Sequence, residues 1–126
     1  MLRVLAIAAA VFGVLTVVSG GRALFGSEAA RAAAGAAVPF VLWFNFLAGF
    51  AYLVAATGIA LGRSWARPLA VALAAATVAI FVLFGVAIAA GVPYEMRTVG
   101  AMVLRSAFWI SVALVLIRRR VLPSQL

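Results

Sequence analysis

Residues 68–90, PLAVALAAATVAIFVLFGVAIAA, form an apolar run without a single charged side chain. The run exceeds the roughly 20 residues that a helix needs to cross the hydrocarbon of a bilayer. Pro68 is placed to open a helix, and Gly91 and Pro93 stand where one would close. Working outward, Arg63 and Arg67 precede this run, and a second uncharged stretch from Ala32 to Gly62 lies before them, with Pro39 marking its helical start. A third stretch runs from Val4 to Gly21 behind Arg3. The fourth, from Thr98 to Ile117, is broken only by Arg105, stops at Arg118, Arg119 and Arg120, and is barred from extension by Pro123.

These stretches predict an all-α membrane protein. Residues 1–126 form one domain, an antiparallel bundle of four transmembrane helices at about 3–20, 39–61, 68–90 and 98–117. Composition agrees. The chain is 69% hydrophobic and its mean hydropathy is +1.31, whereas soluble domains are roughly half apolar. A water-soluble fold this small has too much surface to manage with so few charges. The first stretch has a competing reading as a signal peptide, with Val18, Ser19 and Gly20 near a cleavage point; its long apolar core favours a retained helix.

All ten basic residues are arginine, and the only acids are Glu28 and Glu95. The arginines sit at the ends of the apolar runs, where they meet lipid phosphates, so membrane lipids are the expected partners and nucleic acid is not. One side of the bundle holds Arg3, Arg63, Arg67, Arg118, Arg119 and Arg120; the other holds Arg22, Arg31, Arg97 and both acids. That asymmetry predicts both termini in the cytoplasm. An alanine- and arginine-rich chain without lysine suggests a GC-rich genome, and so a bacterial inner membrane. The connection from about Ser19 to Val38 is the longest. Within it Ser27 would cap a short outer helix near Ser27–Ala36, with Glu28 at its positive end.

Cysteine, histidine and aspartate are absent. That removes thiol redox chemistry, the usual zinc and haem ligands and the commonest general base. Neither glutamate lies in an apolar run, so no catalytic residues, no metal and no cofactor are expected. Four-helix multidrug exporters share the helix count, but their coupling uses a membrane-embedded carboxylate that this sequence lacks.

The informative residue is Arg105, a charge two turns inside a membrane helix. Such a group costs several kcal/mol unless it snorkels, pairs or faces water. It would anchor a carboxylate, phosphate or headgroup, or else reach the interface or pair with Glu95 or Glu28. Trp109, four residues on, is placed to cover it by a cation–π contact. Asn45 lies six residues past Pro39, about 9 Å deep at helical rise. Arg105 lies seven past Thr98, so the two share a depth. Thr16 joins them from the first helix, and Tyr52 lies two turns deeper on the Asn45 face. These five residues predict a polar ligand pocket in the outer half of the bundle. Glu28, Glu95 and Arg97 would form a gate over it or a structural outer loop.

Other features predict packing. Gly58 and Gly62 form a G-x-x-x-G suited to helix contact within the bundle, with another membrane protein or in self-association, and Ala72, Ala76 and Ala79 form a thin ridge. Phe40, Trp43, Phe44, Phe46 and Phe50 read as an aromatic belt, and Trp65 as an interfacial anchor. The expected function is a lipid or hydrophobic-ligand binder, or an accessory subunit; the alternative is a small transporter or channel acting as a homo-oligomer.

Overall fold

A computed structural model describes residues 2–33, 35 and 38–121, and these are helical apart from short connections. The order is α1 (Leu2–Phe25), α2 (Glu28–Ala33), α3 (Pro39–Ala60), α4 (Ala66–Ala89) and α5 (Met96–Val121). Helices α1, α3 and α4, with Met96–Arg118 of α5, are long and apolar enough to cross a membrane. The chain is a small multi-pass membrane protein built as a four-helix bundle.

Its packing places small residues inside and large ones outside. On α1 the buried residues are Ala6, Ala9, Gly13, Thr16 and Gly20, while Val4, Ile7, Val11, Leu15 and Val18 face outward. Lipid tails are as apolar as valine, so hiding large side chains between helices gains little; close backbone approach gains more. A Cβ on Gly49 of α3 would lie 2.7 Å from Val17 Cγ2 and 3.1 Å from the Val17 backbone nitrogen. One on Gly13 would lie 3.1 Å from the Gly49 carbonyl oxygen, and one on Gly20 3.1 Å from Phe46 Cβ. Helices α1 and α3 therefore form the tightest pair.

Gly58 and Gly62 each have a local role at the α3–α4 turn, and a Cβ on Gly58 would also meet Ala66 Cβ of α4 at 3.1 Å. Gly62 adopts φ 66 just past the C-cap of α3, and no atom would meet its Cβ within 4 Å. There the Arg63 N–H donates to the Gly58 carbonyl at 2.9 Å and the Gly62 N–H to that of Ile59 at 3.2 Å. This is a Schellman cap, which needs the left-handed conformation that glycine adopts at least cost. Gly91 ends α4 the same way, with the Val92 N–H donating to the Ala87 carbonyl. Gly58 makes room for Trp65, whose ring folds back against it. The alanine ridge is also turned: Ala72 and Ala79 are exposed, while Ala66, Ala70, Leu73, Ala74, Thr77 and Phe84 face inward.

The helix limits differ from expectation for identifiable reasons. Helix α1 continues to Phe25 because Gly20 packs against Phe46 instead of turning the chain. Helix α4 starts at Ala66, so Pro68 is its third residue, where a missing N–H still costs no intrahelical bond. Ser27 caps α2, its Oγ accepting from the Ala30 N–H at 3.2 Å. Gly35, at φ 66, is not helical, so α2 ends short of the expected Ala36; Ala34 and Ala36 themselves, like Pro123, lie outside the described residues.

Helix α3 packs on α1 and α4, and α4 on α5. Helix α5 meets α1 and α3 through rings. Phe108 stacks on Phe12 of α1 with centroids 4.7 Å apart, and Trp109 lies 4.8 Å from Tyr52 of α3. Phe12 and Tyr52 complete this cluster edge to face at 6.1 Å. Large rings hold α5 away from the α1–α3 pair, and a cavity opens beside them.

Candidate functional site

The cavity occupies about 220 Å³ between the α2-proximal halves of α1, α3 and α5. Helix α1 contributes Thr16, Ser19, Gly20 and Ala23, and α3 contributes Val41, Leu42 and Asn45, with Val38 just before it. Glu95 and, from α5, Arg97, Thr98, Ala101 and Arg105 complete the lining. The exposed residues Ser19 and Arg97 mark its rim. Thr16, Asn45 and Arg105, matched by depth in the sequence, thus line one space.

Their chemistry differs wall by wall. Arg105 is half-buried, and its Nε is buried without a hydrogen-bond partner. Among the described residues no carboxylate lies within ion-pair distance of its guanidinium. Asn45 is 7% exposed, and its Oδ1 likewise has no partner. Thr16 donates its hydroxyl to the Phe12 carbonyl one turn back at 2.7 Å.

Glu95 and Arg97 belong to the mouth. The Arg97 Nη2 donates to the Ala33 carbonyl at 2.9 Å, joining the end of α2 to the start of α5, and approaches Glu95 Oε1 to 3.6 Å. The Gly35 backbone, at φ 66, lies so close to the Glu95 carboxylate that a Cβ there would sit 2.8 Å from Cδ. Glu28 is exposed on α2 and does not line the cavity.

Tyr52 and Trp109 lie deeper, outside the lining. Trp109 does not cover Arg105. It belongs to the fully buried face of α5 with Met102 and Val112, while Arg105 lies on the flank, and its ring packs on Tyr52 and Phe108. With Phe12 and Phe108 these rings stand between the cavity and the end of the bundle where α1 begins and α5 closes. Two hydroxyls escaped notice in the sequence. Thr77 is fully buried beside the Tyr52 hydroxyl, and Ser106 is 8% exposed with its hydroxyl buried and unpartnered. The available signals were that Thr77 is the only hydroxyl in α4 and that Ser106 follows Arg105.

No family model, curated protein or solved structure matches this chain. The site's chemistry therefore rests on its own geometry. A guanidinium with no carboxylate at ion-pair distance among the described residues favours an anion, since arginine offers up to five donors and no acceptor. The volume is below the roughly 300–1,000 Å³ of drug-sized pockets, so it suits a small polar group better than an acyl chain.

Proposed function

We propose that this chain binds the anionic group of a lipid headgroup or another small amphiphile, with Arg105 as the anchoring cation. The observation that carries this reading is a partly buried guanidinium, without a carboxylate partner among the described residues, facing a cavity it shares with Asn45. Phosphate or carboxylate would supply the missing countercharge, and the apolar remainder of the ligand would lie along the outer faces of the helices. The protein acts in this reading as a binding component of the membrane, not as a catalyst.

The alanine- and arginine-rich composition supports a bacterial inner-membrane setting, and arginine placement supports both termini in the cytoplasm with the cavity in the outer leaflet. In this naturally cysteine-free chain, Ser27→Cys and Ser64→Cys should react with a membrane-impermeant thiol reagent from opposite faces. Labelling of both from one face contradicts the crossing by α3.

The binding itself is tested by thermal unfolding in neutral detergent with added short-chain lipids. Ligand that binds only the folded state stabilises it by RT ln(1 + [L]/Kd). An anionic lipid should raise the midpoint saturably and a phosphocholine lipid of the same chain length should do so far less. Equal shifts from the two would refute a charge-selective site.

A further inference from the structure

The side of the cavity between α1 and α5 is built differently from the others. Helix α5 packs along its length on α4, whereas α1 reaches it through side chains. Residues three and four apart share a helix face, so Phe12 of α1 lies on one stripe with Thr16, Ser19 and Ala23. Phe108 of α5 lies likewise on one stripe with Arg105, Ala101 and Thr98. The stripes face each other, because Phe12 stacks on Phe108 at 4.7 Å and the remaining residues of both line the cavity. At the level of the rings this seam is shut. In the turns nearer α2, alanine, serine and threonine are too short to bridge helices that rings hold apart. Ser19 is exposed, and Thr98, Ala101 and Arg105 are each partly exposed, so the gap reaches the surface of the bundle. The end of the cavity nearest α2 is more obstructed. There Arg97 donates to the Ala33 carbonyl and the Glu95 carboxylate lies against the Gly35 backbone.

From this we infer that the ligand enters sideways from the bilayer, between α1 and α5, and is the headgroup of an anionic membrane lipid. The inference rests on the binding function proposed above and names the source of the anion. A cavity of about 220 Å³ holds a phosphate and its ester carbons but no acyl chain. A lipid can therefore bind only where its chains have a way out into hydrocarbon, and the gap supplies one beside Arg105. The Arg105 side chain leans towards the N-terminus of α5, as helical side chains do, which turns the guanidinium towards the headgroup region. Leu15 and Leu104 adjoin the two stripes and are exposed, so they offer the departing chains an apolar surface on either side. A free anion has no comparable use for an opening onto hydrocarbon, where an unpaired charge is costly.

The test uses phosphatidylglycerol carrying a photoreactive diazirine on the first carbons of one acyl chain, added to the full chain in neutral detergent. Native mass spectrometry counts the bound lipid, and peptide mapping after illumination locates the adducts. Val82 of α4 is the control. It is comparably exposed, and it lies at a similar depth, since its neighbour Phe84 packs on Met102 of α5. Adducts around Leu15 and Leu104 should exceed those at Val82 severalfold. Arg105→Ala should bring them down to the Val82 level, and Arg105→Lys should retain part of the excess.

Adducts spread evenly over Leu15, Leu104 and Val82, with a bound lipid that Arg105→Ala still loses, would overturn side entry and leave the anion site standing. Wild type that retains no lipid, or retains it equally in Arg105→Ala, would overturn the binding function and the inference with it. Glycerol 3-phosphate, which has no acyl chains, should fail to displace the lipid at equal concentration. Displacement would assign the ligand to water and overturn the membrane source.

Discussion

Arg105→Ala is expected to weaken binding of an anionic amphiphile by about ten- to a hundredfold, the range of a hydrogen bond to a charged group. Arg105→Lys should retain part of the affinity, because the charge remains while the planar fork of donors is lost. The diagnostic feature is what happens without ligand. No carboxylate pairs with Arg105 among the described residues, so alanine leaves no buried anion stranded. It also removes a charge that costs free energy at this depth. The ligand-free protein should therefore unfold at the same point as wild type or later. A residue that merely tied the outer loops together would behave oppositely, with alanine lowering stability and ligand binding unchanged. Measuring unfolding with and without anionic lipid, in the same detergent, separates the two.

The second large effect is on the fold. Gly49→Val should destabilise the bundle by about 1–3 kcal/mol, the usual cost of overpacking a close contact. The obstacle is not only the Val17 methyl, which can move, but also the Val17 backbone nitrogen 3.1 Å from the new Cβ. Helices α1 and α3 would have to separate. Since Thr16 and Gly20 on one helix and Asn45 on the other line the cavity, binding should weaken too. Gly85→Val is the control, because that glycine is exposed on α4 with no atom near its Cβ. Titration with a denaturing detergent should shift the midpoint of the first variant strongly and of the second little. Similar behaviour of both would contradict the close α1–α3 approach.

How far the sequence reveals this molecule depends on which force acts at each residue. The spans are legible because a bilayer imposes length and apolarity on any crossing helix, and Pro39 and the arginine clusters punctuate them. The grouping of Thr16, Asn45 and Arg105 is legible for a related reason: antiparallel spans share an axis, so counting residues inward measures depth. Rotation about each helix is a different matter. In a chain this rich in alanine, many faces look thin enough to pack, and the small-x-x-x-small spacings Ala9–Gly13 and Thr16–Gly20 are easily lost among the others. Gly58 and Gly62 have the spacing of a packing motif, but the spacing does not reveal that one seats an indole beside Ala66 of α4 and the other caps a helix. Trp109 shows the same limit. Its spacing from Arg105 permits contact, but the pull of the aromatic core around Tyr52 decides where the ring goes. Glu95 and Arg97 could be placed near the mouth, while the contacts to Gly35 and Ala33 that hold them there depend on the path of the connection between α1 and α3.

Native mass spectrometry of the protein gently extracted from its own membrane tests the central claim most directly. Wild type is expected to carry a discrete small anionic ligand or anionic lipid at one copy per chain, and Arg105→Ala to come out without it. A wild-type chain that carries no such mass, or one that both proteins retain equally, would contradict Arg105 as the anchor of a ligand site.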